Sequence, residues 1–227
     1  MSLSRCAYRD VHRRRRSKRY TIGGKWRKKF IQYKIKYTPK LDRRYVDSKI
    51  AMAFMIWSPS SGITFVKRDK GPVDIIIEFG SSELYSDKIV LANTKSAGIA
   101  SAGITIRIND EVLWEENFKS DAPNLFQTVA HEVGHAIGLG HTDVLGAMMY
   151  PVYGYGRKVY SLHQDDIRGA KDAYNFQVVS YPGRFQYRQF RKTITKSFDD
   201  LRSKMKHSFG KDIKPLNIPE EFFSKGF

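Results

Sequence analysis

The chain has 227 residues, 41% of them hydrophobic, which is enough for one large domain or for a medium-sized domain with appendages. Its only cysteine, Cys6, excludes an intramolecular disulfide, and no apolar run is long enough for a transmembrane helix. The arginine-rich N-terminus lacks the apolar core of a signal peptide, so we expect either a natural start further upstream or export by another route.

The formal net charge of +17 is concentrated in two terminal segments. Residues 1–19 contain eight Lys/Arg and one acid, a balance of +7, and residues 176–227 contain eleven Lys/Arg and five acids, a balance of +6. Residues 20–175 have 21 basic and 17 acidic residues, a balance of only +4. We therefore divide the chain into a basic N-terminal segment (1–19), a core domain (20–175) and a basic tail (176–227).

A dense basic run closes the N-terminal segment. Its last four residues, Arg16-Ser17-Lys18-Arg19, resemble a dibasic proprotein-convertase site, with cleavage expected after Arg19. A nuclear-localisation or polyanion-binding patch explains the same run equally well. The run alone leaves both interpretations open.

The core domain has the hydrophobic patterns of a mixed α/β sheet. Alternating or continuous apolar runs predict five strands, at 31–37, 63–66, 73–79, 89–92 and 104–108. Three helices are also predicted, at 43–57, from about 121–123 onwards, and at 162–175. We expect Asp121 to cap the second helix and Pro123 to lie in its first turn.

The second predicted helix and the turn after it contain the sequence H-E-V-G-H-A-I-G-L-G-H at 131–141. Because His131 and His135 are four residues apart, they lie on one helical face and can share a metal ion. Gly138 can adopt the left-handed conformation that ends a helix, which would bring His141 back as a third ligand. Three imidazoles with an open fourth position favour catalytic zinc, and Glu132 has the position of the general base in such motifs.

Features that flank this motif narrow its class. Ala147-Met148-Met149-Tyr150-Pro151 has the form of a Met-turn, and residues 162–169 read L-x-Q-D-D-I-x-G. Residues 19–26, R-Y-T-I-G-G-K-W, are similar to the junction at which convertase-activated matrixins begin their mature domain. Together these features resemble the matrixins, the matrix metalloproteinases of the metzincin clan. Thr142 also fits matrixins better than astacins, which have Glu after the third histidine.

The resemblance implies an α/β fold of the α+β, zincin-like type: a five-stranded mixed, twisted sheet with three helices and the Met-turn below the active-site zinc. It implies that His131, His135 and His141 bind one catalytic zinc, and that Glu132 polarises the bound water and passes its proton to the leaving amine. Met149 would form a hydrophobic floor under the metal, a role close to that of an ordinary core methionine.

Further positions acquire roles by the same resemblance. Pro151 and Tyr153 would form the outer wall of the pocket for the residue after the scissile bond. After convertase cleavage, the new amino group of Tyr20 would pair with Asp165 or Asp166. Acids at the start of a helix can instead simply favour its dipole.

Cys6 lies in a stretch that resembles the cysteine switch of latent matrixins. Arg5-Cys6-Ala7-Tyr8-Arg9-Asp10 matches Arg-Cys-Gly-x-Pro-Asp except that Ala7 replaces Gly and Arg9 replaces Pro. A thiolate is a strong zinc ligand and would displace the catalytic water, so an inhibitory role in a zymogen is chemically sensible. The alternative is an unpaired bystander cysteine.

The chain departs from matrixins in its other metal sites. No histidine lies between residues 20 and 130, so the family's second, structural zinc is predicted to be absent. Asn109, Asp110 and Glu111 offer oxygens for calcium, but Val112 stands where an acid is expected. We predict one zinc and weak or no calcium binding.

The basic tail does not resemble a hemopexin-like domain and is too short for one. Its apolar residues from Tyr187 to Met205 recur every three or four positions among basic ones, which predicts a basic amphipathic helix. Such a helix would pack on the core domain or bind an anionic membrane, a glycosaminoglycan or a protein partner.

The resemblance implies a monomeric, extracellular zinc endopeptidase that acts on extracellular matrix or other extended polypeptides. The alternative is a catalytically weak zincin-fold protein that uses its basic segments to bind anionic partners. Nucleic acid is not an expected partner.

Overall fold

The structure, a computed structural model, describes residues 4–5, 20–22, 24–80, 90–96, 103–114, 123–153, 159 and 161–174. The chain divides into two units, Met1–Gln177 and Val178–Phe227, and all the described residues belong to the first. None of the helices in the described part is both long and apolar enough to cross a membrane. Cys6, Arg16, Arg19 and the predicted tail helix lie outside the described residues.

The described residues form strands and helices that are numbered here in chain order. The strands are β1 (Ser4–Arg5), β2 (Tyr20–Ile22), β3 (Phe30–Lys36), β4 (Thr64–Lys67), β5 (Ile75–Gly80), β6 (Ala92–Ser96), β7 (Ile104–Asn109), β8 (Leu139–Thr142) and β9 (Val152–Tyr153). The helices are α1 (Arg43–Met55), the single turn α2 (Ser58–Ser61), α3 (Leu125–Ala136) and α4 (Gln164–Tyr174).

Five of the strands form one mixed sheet in the order β4-β3-β5-β7-β6. Strands β4, β3, β5 and β7 run parallel to one another, whereas β6 lies at the edge and runs antiparallel to β7. Strands β5 and β7 supply fully buried isoleucines, as expected for parallel strands that are covered by helices. The predicted five-stranded mixed sheet of a zincin-like α/β fold is confirmed.

Helices α1 and α3 pack against each other, and the core lies between them and the sheet. Phe54 of α1 stacks on Tyr33 of β3 with 4.2 Å between ring centroids, and it also contacts Phe65 of β4 at 4.8 Å. Trp57, which is fully buried just after α1, donates its indole N–H to the carbonyl of Ala130 in α3 at 2.8 Å. This hydrogen bond fixes the metal-motif helix relative to α1.

Two short antiparallel pairings join the N-terminal part of the chain to the end of the histidine motif and to the strand after the Met-turn. Strand β2 pairs with β8, so that Tyr20 lies opposite Thr142. Strand β1 pairs with β9, so that Ser4 lies opposite Tyr153 and Arg5 opposite Val152.

The strand predicted at 89–92 is wrong in its position, because β6 covers Ala92–Ser96. Val90 and Leu91 are buried and apolar, which made them look like strand residues. Their carbonyls instead accept hydrogen bonds from the side chain and the backbone N–H of Asn109, at 3.0 and 2.9 Å. The apolar character of residues 89–92 therefore does not distinguish β6 from the segment that leads into it.

Helix boundaries differ from the predicted ones in all three helices, and α4 covers Gln164–Tyr174 instead of 162–175. Helix α3 begins at Leu125, and its N-cap is Asn124, whose side-chain oxygen accepts from the backbone N–H of Gln127 at 3.1 Å. Pro123 thus precedes the cap instead of lying in the first turn, and Asp121 is outside the described residues. Helix α1 ends at Met55, two residues before the predicted end, because the chain tightens there into α2.

Candidate metal centre

Helix α3 presents its apolar side to the core and carries two of the motif histidines. Val129, Val133 and Ala136 are buried, and their spacing places them on one side of the helix. His131 and His135 are buried as well, and their ring centroids are 4.7 Å apart. The four-residue spacing therefore places both imidazoles on one side of the helix, as expected.

The end of α3 turns sharply and returns the chain to the site through β8. Gly138 has φ of 96°, which favours glycine, and its backbone N–H donates to the carbonyl of His135 at 2.9 Å. The carbonyls of Ala136 and Ile137 accept from the side chains of Trp26 and Tyr174, at 2.8 and 2.7 Å. These bonds satisfy carbonyls that a helix end leaves without a helical partner.

A side chain at position 138 is also excluded by contact. A Cβ on Gly138 would collide with the carbonyl oxygen of Gly24, because the N-terminal part of the core domain crosses the turn there. The glycine is therefore required both by its backbone angle and by this close approach.

The turn brings the third histidine next to the other two. The ring centroid of His141, on β8, is 5.2 Å from that of His131 and 4.8 Å from that of His135. One ligand atom from each of the three histidines can be chosen so that all lie within 4.8 Å of one another. Among the described residues this is the one group of three or more His, Cys, Asp or Glu side chains that could hold an ion.

Hydrogen bonds determine which nitrogen the two helical histidines can offer to a metal. Nδ1 of His131 lies 2.7 Å from the carbonyl oxygen of Met148, and Nδ1 of His135 lies 2.7 Å from that of Leu139. Because a carbonyl only accepts, each Nδ1 must carry the proton and donate it. In this tautomer the lone pair that can bind a metal ion is on Nε2 of each ring.

Burial favours the neutral form of both rings. It lowers the pKa of His131 to about 3, helped by the nearby His141, and it lowers the pKa of His135 well below its ordinary value. Neutral imidazoles are the form that binds metal, and three of them with an open fourth position are a donor set that fits catalytic zinc. The residues therefore fit the zinc that the motif predicts.

Glu132 follows His131 on α3 and is fully buried. Its carboxylate oxygen Oε2 accepts a hydrogen bond of 2.6 Å from the hydroxyl of Thr94, a residue of the edge strand β6. Sequence reasoning missed Thr94, because no spacing relates a strand residue to an acid 38 positions later. Only the packing of α3 on β6 brings the two together.

The Met-turn packs directly beneath the helix. Met148 and Met149 are buried, and a Cβ on Gly134 of α3 would collide with Sδ of Met149. The backbone N–H of Thr142 donates to the carbonyl of Met149 at 3.1 Å, which ties the turn to β8. Met149 thus packs against α3, and its role as a hydrophobic floor under the metal stays a prediction.

Asp166, at the start of α4, holds the Met-turn in place. Its two carboxylate oxygens accept the backbone N–H groups of Met148, Met149 and His163, at 2.8, 3.0 and 2.8 Å. Burial raises the pKa of Asp166, and these three hydrogen bonds oppose that effect. Since the Met148 carbonyl also accepts from His131, the contacts run from Asp166 through one peptide to the imidazole of His131.

Asp165 makes a different set of contacts from its neighbour. Its Oδ2 accepts from the hydroxyl of Thr142 at 2.7 Å, and Arg168 lies 3.7 Å from its Oδ1. Thr142 lies opposite Tyr20 in the pairing of β2 with β8. Asp165 is therefore the aspartate that is hydrogen-bonded to a residue next to β2. The sequence did not distinguish the two aspartates, whereas their contacts do.

The remaining candidate residues have simpler positions. Pro151 is partly buried and directly precedes β9, which contains the backbone of Tyr153. Of the candidate calcium ligands, Asn109 donates to the carbonyl of Val90 and accepts from the backbone N–H of Glu111. The carboxylate of Asp110 lies 3.5 Å from the ammonium of Lys40.

A mixed five-stranded sheet, with a buried helix carrying two histidines and a third on the strand that follows, defines a metalloprotein of the zincin class. The Matrixin family profile matches residues 25–175. The chain belongs to the matrixin family.

Several curated relatives are similar to this chain. Interstitial collagenase from Oryctolagus cuniculus is 35% identical over 66% of the chain and 33% of its own length. Macrophage metalloelastase from the same species is 36% identical over 77% of the chain and 38% of its own length. Stromelysin-1 from Mus musculus is 36% identical over 69% and 34%. The chain thus spans little more than a third of the length of these relatives.

Proposed function

We propose that this chain is a zinc-dependent endopeptidase that hydrolyses peptide bonds of extended polypeptides. The observation that carries the proposal is the convergence of His131, His135 and His141, with Nδ1 of the first two committed to backbone carbonyls. Glu132 adjoins this group on the same helix, as a general base for a metal-activated water requires. Membership of the matrixin family supports the same reaction class.

The chain's own residues divide the chemistry between them. A bound zinc would supply Lewis acidity to the scissile carbonyl and to the attacking water. The Glu132 carboxylate would take a proton from that water as its oxygen bonds to the carbonyl carbon. The same carboxyl group would then donate the proton to the leaving nitrogen as the C–N bond breaks. Nearby backbone N–H groups would help to stabilise the developing oxyanion.

The edge strand β6 supports the expected mode of substrate binding. It ends the sheet, and its side away from β7 is not paired with another strand of the described part of the chain. An extended polypeptide can add to such an edge through main-chain hydrogen bonds. Pro151 and Tyr153 would then wall the pocket for an apolar side chain after the scissile bond.

The expected substrates are extracellular matrix proteins or other extended polypeptides, and the expected location is extracellular. The names of the relatives, a collagenase and a metalloelastase among them, support this class of substrate. We also propose a single catalytic zinc with weak or no calcium binding. This expectation of weak or no calcium binding has two supports. The side chain of Asn109 is already hydrogen-bonded to the backbone, and the ammonium of Lys40 lies beside the carboxylate of Asp110.

Latency is part of the proposal. Strand β1 runs antiparallel to β9, so Arg5 lies at the segment that would wall the substrate pocket, and Cys6 is the next residue in sequence. We infer that the N-terminal segment occupies the substrate site until cleavage after Arg19. The new amino group of Tyr20 would then pair with Asp165, because Asp166 is committed to the Met-turn.

The test of the reaction class is Glu132→Ala in the chain cleaved after Arg19. The rate of hydrolysis of a quenched peptide is expected to fall by about two to four orders of magnitude, which is the usual contribution of a general base. The control variant is Asp69→Asn, an exposed acid of the core domain, which should retain full hydrolysis. Metal analysis is expected to find one zinc per chain in both proteins. Unchanged cleavage by Glu132→Ala would falsify the mechanism, and two zincs per chain would contradict the single site.

A further inference from the structure

Strand β6 places one hydroxyl against the acid of the motif. Thr94 Oγ1 lies 2.6 Å from Glu132 Oε2 and 3.1 Å from the carbonyl oxygen of the same residue. A hydroxyl has one proton to donate, and the shorter distance assigns it mainly to the carboxylate. A separation of 2.6 Å is typical of an O–H donor bonded to an ionised carboxylate.

Both partners are removed from water, which gives this contact its importance. Glu132 is fully buried and Thr94 is only 6% exposed. A hydrogen bond to a charged group is stronger in such a setting than at a surface, and it restricts the carboxylate to one orientation. The backbone on both sides is fixed, because Thr94 lies in register with Ile106 of β7 and Glu132 lies within α3.

We propose that Thr94 is a positioning residue for the general base. Its hydroxyl holds Oε2 of Glu132 by donating a hydrogen bond, which orients the carboxylate that would receive the proton of the attacking water. A misplaced general base loses rate even when substrate binding is intact, because proton transfer needs a distance of about 3 Å. This inference rests on the proposed function, since it assigns a role to Thr94 only if Glu132 is the base.

A purely structural role would make different demands on the side chain. If Thr94 only fills space between β6 and α3, its shape matters and its hydroxyl does not. Valine has nearly the shape of threonine without the hydroxyl, whereas serine keeps the hydroxyl and lacks the methyl group. The two substitutions therefore separate positioning from packing.

The experiment compares Thr94→Val and Thr94→Ser in the chain cleaved after Arg19, with steady-state hydrolysis of a quenched peptide. Thr94→Val is expected to lower kcat about tenfold with little change in KM, the loss that one hydrogen bond to a charged group implies. Thr94→Ser is expected to retain most of kcat. A normal kcat for Thr94→Val, or an equal loss for Thr94→Ser, would overturn the inference.

A second measurement does not depend on activity. The thermal unfolding midpoints of the zinc-loaded wild type, Thr94→Val, Glu132→Ala and the double variant form a cycle. The proposal expects Thr94→Val to lower the midpoint more in the presence of Glu132 than in the Glu132→Ala background. Equal effects in the two backgrounds would overturn it.

The two proposals fail separately. If Glu132→Ala keeps full hydrolysis, the proposed function fails whatever the Thr94 variants do. If Glu132→Ala loses hydrolysis and Thr94→Val does not, only the positioning role of Thr94 fails.

Discussion

At the scale of single residues, the geometry of the three-histidine group depends on groups outside it. The carbonyls of Met148 and Leu139 fix the proton on Nδ1 of the two helical histidines. Asp166 in turn fixes the peptide that contains the Met148 carbonyl. Such outer contacts orient the ligands, so their loss weakens metal binding even though every ligand remains.

Asp166→Asn tests this dependence, and Asp165→Asn is its matched control. An amide cannot accept with both of its ends, so Asp166→Asn turns an N–H group toward the backbone donors of the Met-turn. We expect its zinc affinity to fall by about tenfold to a hundredfold, the usual effect of losing a partner of a metal ligand. Asp165→Asn should change zinc affinity much less, because Asp165 bonds to Thr142 and not to the Met-turn.

Competition with a chelator of known affinity measures both variants. Circular dichroism of the metal-free proteins shows whether either substitution unfolds the chain. Equal loss of zinc affinity in the two variants would contradict the separate roles of the aspartates.

At the scale of elements, charged side chains link three strands of the sheet in one row. Glu78 of β5 lies in register with Lys36 of β3 and with Arg107 of β7. Its carboxylate is 2.9 Å from the ammonium of Lys36 and 2.6 Å from the guanidinium of Arg107. The hydrogen bond from Lys36, together with that from Arg107, lowers the pKa of Glu78 below its ordinary 4.5, although partial burial opposes this.

The direction of this pKa shift gives a pH dependence. Because the folded-state pKa lies below the unfolded value, Glu78 stabilises the fold above about pH 4.5, and this contribution is lost as pH falls through the lower folded-state value. Glu78→Gln should therefore lower the unfolding midpoint of the metal-free protein at neutral pH. The difference from wild type should shrink as the pH falls below 4.5.

Thermal unfolding of the metal-free proteins at several pH values measures this difference without interference from zinc release. Asp69→Asn, which replaces an exposed acid outside the row, is the control. A wild-type advantage that stays constant down to pH values well below 4.5 would show that the row does not act through the charge of Glu78.

At the scale of the whole molecule, two short strands near the N-terminus, β1 and β2, pair with strands that follow the metal-motif helix. Strand β2 pairs with β8 beside His141, and β1 pairs with β9 beside the proposed pocket wall. The dense basic run lies in sequence between these two strands. Cleavage there would separate the segment at the pocket from the one that stays paired with β8.

We expect the uncleaved chain to hydrolyse a quenched peptide slowly and the chain cleaved after Arg19 to hydrolyse it faster. Arg19→Ala should block this activation by a convertase, because it removes the basic residue before the cleaved bond. Cys6→Ser should raise the activity of the uncleaved chain, because a hydroxyl is a much weaker zinc ligand than a thiolate. Ser17→Ala, which keeps all the basic residues, should behave like wild type. An uncleaved wild-type chain as active as the cleaved one would contradict latency.

The sequence by itself determined the three-histidine group and the class of fold. The spacing of His131, His135 and His141 around Gly138 fixes how the three imidazoles are arranged. This is possible because the helix period and the turn at Gly138 are local properties of the chain. The five strands and three principal helices followed from periodicity in the same way, although β6 and the start of α3 were displaced. Before β6, Val90 and Leu91 are apolar and buried although they precede the strand. At the start of α3, Asn124 provides the cap that we expected from Asp121.

Only the tertiary structure decided which distant groups support the ligands. Thr94 reaches Glu132 because α3 packs on β6, and Asp166 reaches the Met-turn because α4 begins beneath it. Such contacts join residues far apart in sequence, and their geometry depends on how whole elements pack. A local pattern encodes what a helix or turn can do alone, whereas the partner that fixes each side chain is determined when the elements assemble.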